Sequence, residues 1–211
     1  MADEKKKALF LNQKQTLDTF LKNGAITQAQ YNKSFGDLVR LMGMEELVYR
    51  KAYFAGGCFW CITPVFMTYG AEKVVCGYSG GDEVNPRYED VKAQRTGHRE
   101  TICVLYDPDR VSYEKLLEIF LANVDPFDAE GQFIDKGFSY TLAVYYQTEA
   151  ERKAAEQAIA KLEAEEGRQA EIAIEAFKSF YEAEEYHQDY YLKNPEAFEK
   201  ELKESGRKKE E

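Results

Sequence analysis

Four cysteines, at positions 58, 61, 76 and 103, are the strongest nucleophiles in this 211-residue chain. Two of them close the string Ala55-Gly56-Gly57-Cys58-Phe59-Trp60-Cys61. Cysteine reacts as thiolate, and an unperturbed thiol with a pKa of about 8.5 is only a few per cent ionised at neutral pH. A cysteine that follows a strand and two glycines and opens a helix faces backbone N–H groups that stabilise the anion. The glycines leave room for a substrate to approach, and Phe59 and Trp60 add an aromatic wall suited to an apolar group such as a methyl. The start of that helix has two readings. If it begins at Phe59, Pro64 sits in its interior and a hydrogen bond is lost. If Thr63 is the cap and Pro64 the first helical residue, Cys58 stands in a loop and the dipole argument weakens.

The Cys58-x-x-Cys61 spacing is that of a redox pair: a second thiol can attack an oxidised Cys58 at high effective concentration. The plainer reading of Cys61 is a small buried residue. Cys76 and Cys103 lie in valine-rich segments and read as core. A zinc site is poorly supported, with no second C-x-x-C and only His98 and His187 as partners. Further polar clusters follow. They are Gly77-Tyr78-Ser79-Gly80-Gly81, Asn85-Pro86-Arg87-Tyr88-Glu89-Asp90, Thr96-Gly97-His98, the run Gly131 to Tyr140, and Tyr186-His187-Gln188-Asp189-Tyr190-Tyr191. Taken singly, Asp90 reads as a surface carboxylate, and one tyrosine among 15 means little.

The elements that must position these groups are legible in the periodicity. Leu9, Phe10, Leu17, Phe20 and Leu21 recur at helical spacing up to Gly24. Thr27-x-x-Gln30 forms a capping box ahead of Tyr31, Phe35, Leu38 and Met42, and Gly43 ends the run. Residues 1–48 therefore read as an appended helical hairpin, and 49–211 as the catalytic domain. Lys51–Ala55, Lys73–Tyr78, Glu100–Tyr106 and Thr141–Gln147 read as strands. Helical patterns stand between them, at Val65–Tyr69, Tyr113–Asn123 and Glu149–Glu166, the second capped by Ser112. The charged tail Asn194–Glu211 reads as a solvated helix or a frayed end. Strands alternating with helices imply a mixed sheet. With 44% hydrophobic and 14% aromatic residues the chain can bury a substantial core. A formal charge of −10 argues against nucleic acid and anionic membranes as partners. No apolar run reaches the ~20 residues that span a bilayer, and the N-terminus lacks a secretory apolar core. The expectation is a soluble, cytoplasmic protein whose thiols are reduced.

Taken together, the clusters resemble the A-type peptide-methionine sulfoxide reductases (MsrA), which reduce the S epimer of methionine sulfoxide. The motifs GCFW, GY-x-GG with NP-x-Y, TGH, D-x-G-x-x-Y and YHQDYY-x-KNP occur in the family's order between Lys51 and Phe198. The resemblance implies an α+β fold: a two-layer, ferredoxin-like sandwich with a mixed β-sheet flanked by helices. It implies Cys58 as nucleophile and Phe59 and Trp60 as the pocket for the substrate methyl group. Tyr78 and Tyr140 would bind the sulfoxide oxygen, and Asp90 would protonate it. Asp135, His187 and Tyr190 would line the pocket. Cys58 sulfenic acid would then form a disulfide, with Cys61 as the expected resolver and Cys76 or Cys103 as competitors. The expected reductant is thioredoxin or glutaredoxin. No bound cofactor and no metal are expected, the substrates are oxidised proteins and free methionine sulfoxide, and the protein should be a monomer. The chain departs from the family in having Cys61 after the Trp, no cysteine in the tail, and Phe138-Ser139 before Tyr140.

Other classes of function make different demands. A thioredoxin-like thiol-disulfide oxidoreductase would use Cys58 and Cys61 and leave Asp90 and the tyrosines idle. A binding module would need only the aromatic pocket. A Cys-His hydrolase would need His98 or His187 beside Cys58, together with an oxyanion hole that the sequence does not display.

Overall fold

The computed structural model describes residues 2–207, with side chains from residue 4; the end of the expected tail helix, 208–211, lies outside the described residues. The chain divides into two compact units, Met1–Arg50 and Lys51–Glu211.

In the first unit, α1 (Ala2–Lys22), α2 (Gln28–Leu41) and the single turn α3 (Glu45–Val48) follow one another. Thr27 and Gln30 form the capping box that starts α2. Phe35 packs on Phe10 and stacks on Tyr31 at 5.8 Å between ring centroids.

The second unit is built on six strands. They are β1 (Arg50–Gly56), β2 (Lys73–Ser79), β3 (Arg99–Tyr106), β6 (Leu142–Tyr146), β7 (Ile172–Ala176) and β8 (Phe180–Glu182). Their order in the sheet is β7-β6-β1-β3-β2-β8. β1 runs antiparallel to β6, β2 antiparallel to β3 and β8, and β6 parallel to β7, so the sheet is mixed. A separate two-stranded ribbon, β4 (Gly131–Gln132) with β5 (Asp135–Lys136), stands in the loop before β6. The helices are α4 (Phe59–Thr68), α5 (Tyr88–Lys92), α6 (Tyr113–Leu121), α7 (Glu149–Glu166), α8 (Tyr190–Lys193) and α9 (Pro195–Glu204). Sequence alone did not show β7 and β8. They are short, only partly buried, and lack a run of alternating residues long enough to read. Among the described residues no helix is long and apolar enough to cross a membrane.

Alternation along the strands sorts side chains between two layers. On one face Phe54, Cys76, Tyr78, Ile102, Val104, Leu142 and Val144 meet Phe59, Ile62, Phe66, Leu116, Phe120 and Ala155 from the helices. On the other face Tyr53, Ala55, Cys103, Ala143 and Tyr145 pack with Phe177 and Phe180. Cys103 is thereby on the side of the sheet away from α4. Cys76 shares the α4 face and lies 3.4 Å from the Thr63 hydroxyl.

α4 begins at Phe59 with Cys58 as its N-cap, so Pro64 is inside the helix. The expectation of a cap at Thr63 fails because other contacts hold the first turn. The Cys61 N–H donates to the Cys58 carbonyl at 3.1 Å, and the Thr63 hydroxyl donates to the Phe59 carbonyl at 2.7 Å. Gly57 makes the turn from β1 into α4 at φ +77°. A Cβ there would stand 2.6 Å from the Gln132 Cβ. Gln132 is fully buried, accepts the Asp125 N–H and donates to the Asp125 carbonyl, fixing the loop that leads to the ribbon. Gly57→Ala therefore strains the backbone and displaces this loop. The expected cost is about 1–3 kcal/mol in urea unfolding; a midpoint unchanged from the native chain would refute the packing account.

Candidate active site

The first turn of α4 sets the site. Cys58 and Cys61 are both buried, and their sulfurs and a Glu201 carboxylate oxygen lie within 4.8 Å of one another. The N–H of Phe59, unused within the helix, donates to the Glu100 carboxyl at 3.1 Å. Glu100 is buried at the start of β3. Burial pushes its pKa up to about 8, helped by the charge of Asp135 and only partly offset by the Phe59 N–H and the Tyr140 phenol. A group with that pKa is mostly an uncharged acid at neutral pH.

Cys58 shows the opposite of the expected activation. Its hydrogen bond with Cys61, its burial, and the nearby Cys61, Glu100 and Glu201 all raise its pKa well above the ordinary thiol value. A helix N-terminus offers roughly 0.3–1 kcal/mol to an anion, up to about 2 in favourable geometry. Full burial beside acids costs several times that, so the resting thiol is neutral. Direct titration of Cys58 in the free protein should therefore find a thiol less acidic than free cysteine.

Six rings close one side. The Trp60 and Tyr190 rings stack at 3.8 Å, 8° from parallel. His187 lies fully buried among Phe59, Trp60, Tyr88 and Tyr186, at ring separations of 4.1 to 5.4 Å. Burial lowers its pKa to about 4, so it is neutral, and neither ring nitrogen has a hydrogen-bond partner. It works as a flat spacer under the other rings. Two phenols, Tyr88 and Tyr140, lie within electrostatic reach of both Glu100 and Cys58. Gln94 ties their segments together. Its Oε1 accepts the Ser139 N–H at 3.0 Å, and its Nε2 donates to the Ser139 hydroxyl at 2.8 Å. Asp135, half-buried on β5, has its carboxyl pKa raised by burial.

The model for "Peptide methionine sulfoxide reductase" matches residues 50–211. The chain belongs to this family. It is 46% identical over 150 residues to peptide methionine sulfoxide reductase MsrA of Bacillus velezensis, covering 70% of this chain and 85% of that protein. It is 46% identical over 160 residues to MsrA of Bacillus subtilis, covering 74% and 90%. Its fold resembles Mxr1 of Saccharomyces cerevisiae in reduced form, with TM-score 0.68, 28% identity and coverage of 71% of this chain and 88% of that one. It also resembles methionine sulfoxide reductase A of Corynebacterium diphtheriae, with TM-score 0.63, 28% identity and coverage of 70% and 76%.

Within this family fold, the structure gathers Cys58, Cys61, Phe59, Trp60, Tyr140, Asp135, His187 and Tyr190, keeps the Tyr78 ring 6.1 Å from that of Phe59, and gives the polar groups of Asp90 and Tyr78 other partners. The Asp90 carboxylate is 43% exposed and paired with Arg95 at 2.6 Å. It is held by a solvated ion pair, and the acid facing the Phe59 N–H is Glu100. The Tyr78 phenol is occupied, donating to Glu184 at 2.8 Å, while Glu184 also accepts the Tyr88 N–H at 3.0 Å. Tyr78 thus braces the site through Glu184, and Tyr88 brings the second phenol. His98 is away from the cysteines, bracing the preceding loop through the Glu83 carbonyl at 2.8 Å.

The raised Glu100 pKa has a consequence for stability. The folded protein holds this proton up to about pH 8, against 4.5 for an ordinary glutamate. The group's favourable contribution is complete below pH 4.5 and is lost as the pH climbs to 8. Glu100→Gln removes that slope. Its stability advantage over the native chain should grow from pH 5 to 8 and then level, at the order of a few kcal/mol. Parallel urea curves for the two proteins across this range would contradict a buried neutral acid.

Proposed function

We propose that this protein reduces the S epimer of methionine sulfoxide, in proteins and free, to methionine. The observation that carries the reading is the pairing of a buried, uncharged Glu100 with the Cys58 thiol across the first N–H of α4. Sulfoxide oxygen leaves only if it gains a proton. Glu100 supplies it while the Cys58 sulfur bonds to the sulfoxide sulfur, and the Cys58 proton returns to Glu100. The protonated oxygen then bonds to the Cys58 sulfur as the substrate sulfur loses both its S–O bond and its new bond to Cys58, leaving Cys58 as sulfenic acid and releasing methionine. No net charge is created in the buried site, which is why a thiolate formed in advance is unnecessary. Tyr88 and Tyr140 donate to the oxygen as negative charge builds on it. Phe59 and Trp60 hold the methyl group. Asp135, His187 and Tyr190 shape the pocket.

Cys61 is the resolver in this proposal. Its thiol attacks the Cys58 sulfenic acid, forming the disulfide and releasing water. Geometry favours it over Cys103, which faces the other layer, and over Cys76, which is engaged with Thr63. Cys61 lines a cavity of about 530 Å³ with Pro64, Val65, Phe133, Phe198 and Leu202. The cavity gives the thiol of a thioredoxin- or glutaredoxin-type protein a path to the disulfide. We read the protein as a cytoplasmic monomer that needs no prosthetic group, with residues 1–48 as an appendage to the catalytic domain 49–211. The thiol-disulfide oxidoreductase reading is disfavoured, because it gives no role to Glu100 or to either phenol.

Three variants test this. Cys58→Ser should release no methionine from the S-sulfoxide. Glu100→Gln should slow release in a single turnover about a hundredfold or more. Cys61→Ser should release one methionine per protein and then stall with a dithiol reductant. Retained multiple turnover in Cys58→Ser, or an unslowed Glu100→Gln, would overturn the scheme. Steady recycling in Cys61→Ser would remove Cys61 as the resolver.

A further inference from the structure

Glu201 has no part in the reaction just described, yet α9 lays its carboxylate on the catalytic thiol, with the Cys58 Sγ 3.5 Å from Oε1. We propose that the reduced protein binds one zinc-class divalent cation through Cys58, Cys61 and Glu201, and that the bound ion reversibly blocks the reductase. Binding stands on the geometry alone; only the inhibition rests on the proposed function.

The spacing suits the ion. A tetrahedral centre with Zn–S of about 2.3 Å and Zn–O of about 2.0–2.2 Å needs an S···O edge of roughly 3.5 Å and an S···S edge of roughly 3.8 Å. The Cys58–Glu201 edge is 3.5 Å, and all three donor atoms fit within 4.8 Å of one another. Two thiolates choose zinc-class ions over magnesium or calcium, which prefer all-oxygen sites. The sulfurs are buried and Glu201 is half-buried, so little water competes. The groups around the donors are acidic or neutral apart from Arg207, whose charge acts on both Glu201 and Asp135. Two thiol protons leave as the ion enters, since coordinated sulfur is thiolate. A fourth position stays open for water.

The ligands come from both ends of the catalytic unit, the first turn of α4 and the helix α9. A bound ion therefore pins α9 over the cysteines and occupies the sulfur that must attack. Disulfide formation consumes both thiolates and destroys the site, so affinity reports the redox state. Sequence did not suggest the site, because its third ligand lies 140 residues beyond Cys61 and is one of many glutamates in a charged tail.

The test uses the full chain, reduced and metal-free, without oxygen. Zn²⁺ is titrated against a chromogenic chelator, and Co²⁺ serves as a spectroscopic probe. One equivalent should bind, about two protons should be released, and Co²⁺ should show thiolate-to-metal bands with the intense visible absorption of four-coordination. Mg²⁺ should not compete. Cys61→Ser, and native protein oxidised to the disulfide with diamide, should lose binding. Cys103→Ser should keep it. Glu201→Gln should weaken affinity about tenfold or more, and Glu201→Asp should restore part of the loss. The proposal is overturned if no equivalent binds, or if the affinity is the same in Cys61→Ser, in Glu201→Gln or in the disulfide form. One equivalent of Zn²⁺ should stop sulfoxide reduction and a chelator should restore it; turnover unaffected by a bound equivalent would overturn the blocking role. A metal-free protein that binds zinc as described but never reduces sulfoxide would sink the proposed function and leave the site standing.

Discussion

A carboxyl group without its charge, sealed between the sheet and the first turn of α4, sets the conditions for everything around it. Glu100 accepts the N–H of Phe59, the residue next to the nucleophile, so acid and thiol are located by one hydrogen bond across a strand and a helix. An ionised carboxylate buried beside Asp135 and Glu201 would be costly. Keeping the proton removes most of that cost and leaves the group able to donate. The same burial that makes Glu100 an acid makes Cys58 a reluctant anion. The two effects are compatible because the proton moves as sulfur attacks, and the pocket stays near neutrality throughout.

The surrounding structure serves this pairing. Gly57 lets β1 turn into α4 closely enough to press on Gln132. Glu184 holds Tyr88 and Tyr78 at once, and Gln94 joins the end of α5 to the turn that carries Tyr140. The phenols are thereby fixed by two hydrogen-bonded braces from opposite sides of the sequence. His187, uncharged and with neither ring nitrogen hydrogen-bonded, packs among the rings as a spacer.

Much of this was readable from residue types and spacing. The β1-Gly-Gly-Cys entry, the core strands and the caps at Thr27 and Ser112 follow from local pattern, and most of the pocket follows from the family resemblance. The resemblance points to Asp90 as the acid, but Asp90 sits on the short helix α5, where Arg95 reaches back to it. A signal for Glu100 was present: in Glu-Thr-Ile-Cys-Val-Leu-Tyr it is in phase with Ile102, Val104 and Tyr106, all buried on the α4 face. A glutamate at a core-facing register position needs a reason. Tyr88 gave no comparable sign, since both phenols belong to plausible motifs and only Glu184, about a hundred residues on, decides which one is free. Pro64 misled because propensity disfavours it within a helix, while the packing of Phe59, Ile62 and Phe66 holds α4 together across it. Contacts that depend on distant segments, such as Glu201 on Cys58, leave no local trace.

The central claim is the protonation state of a single side chain, and vibrational spectroscopy reads it directly. The infrared difference between the native chain and Glu100→Gln should contain the C=O stretch of a protonated carboxylic acid at pH 7, fading into the carboxylate band around pH 8. A carboxylate band already present at pH 6, with no acid band to lose, would contradict the account.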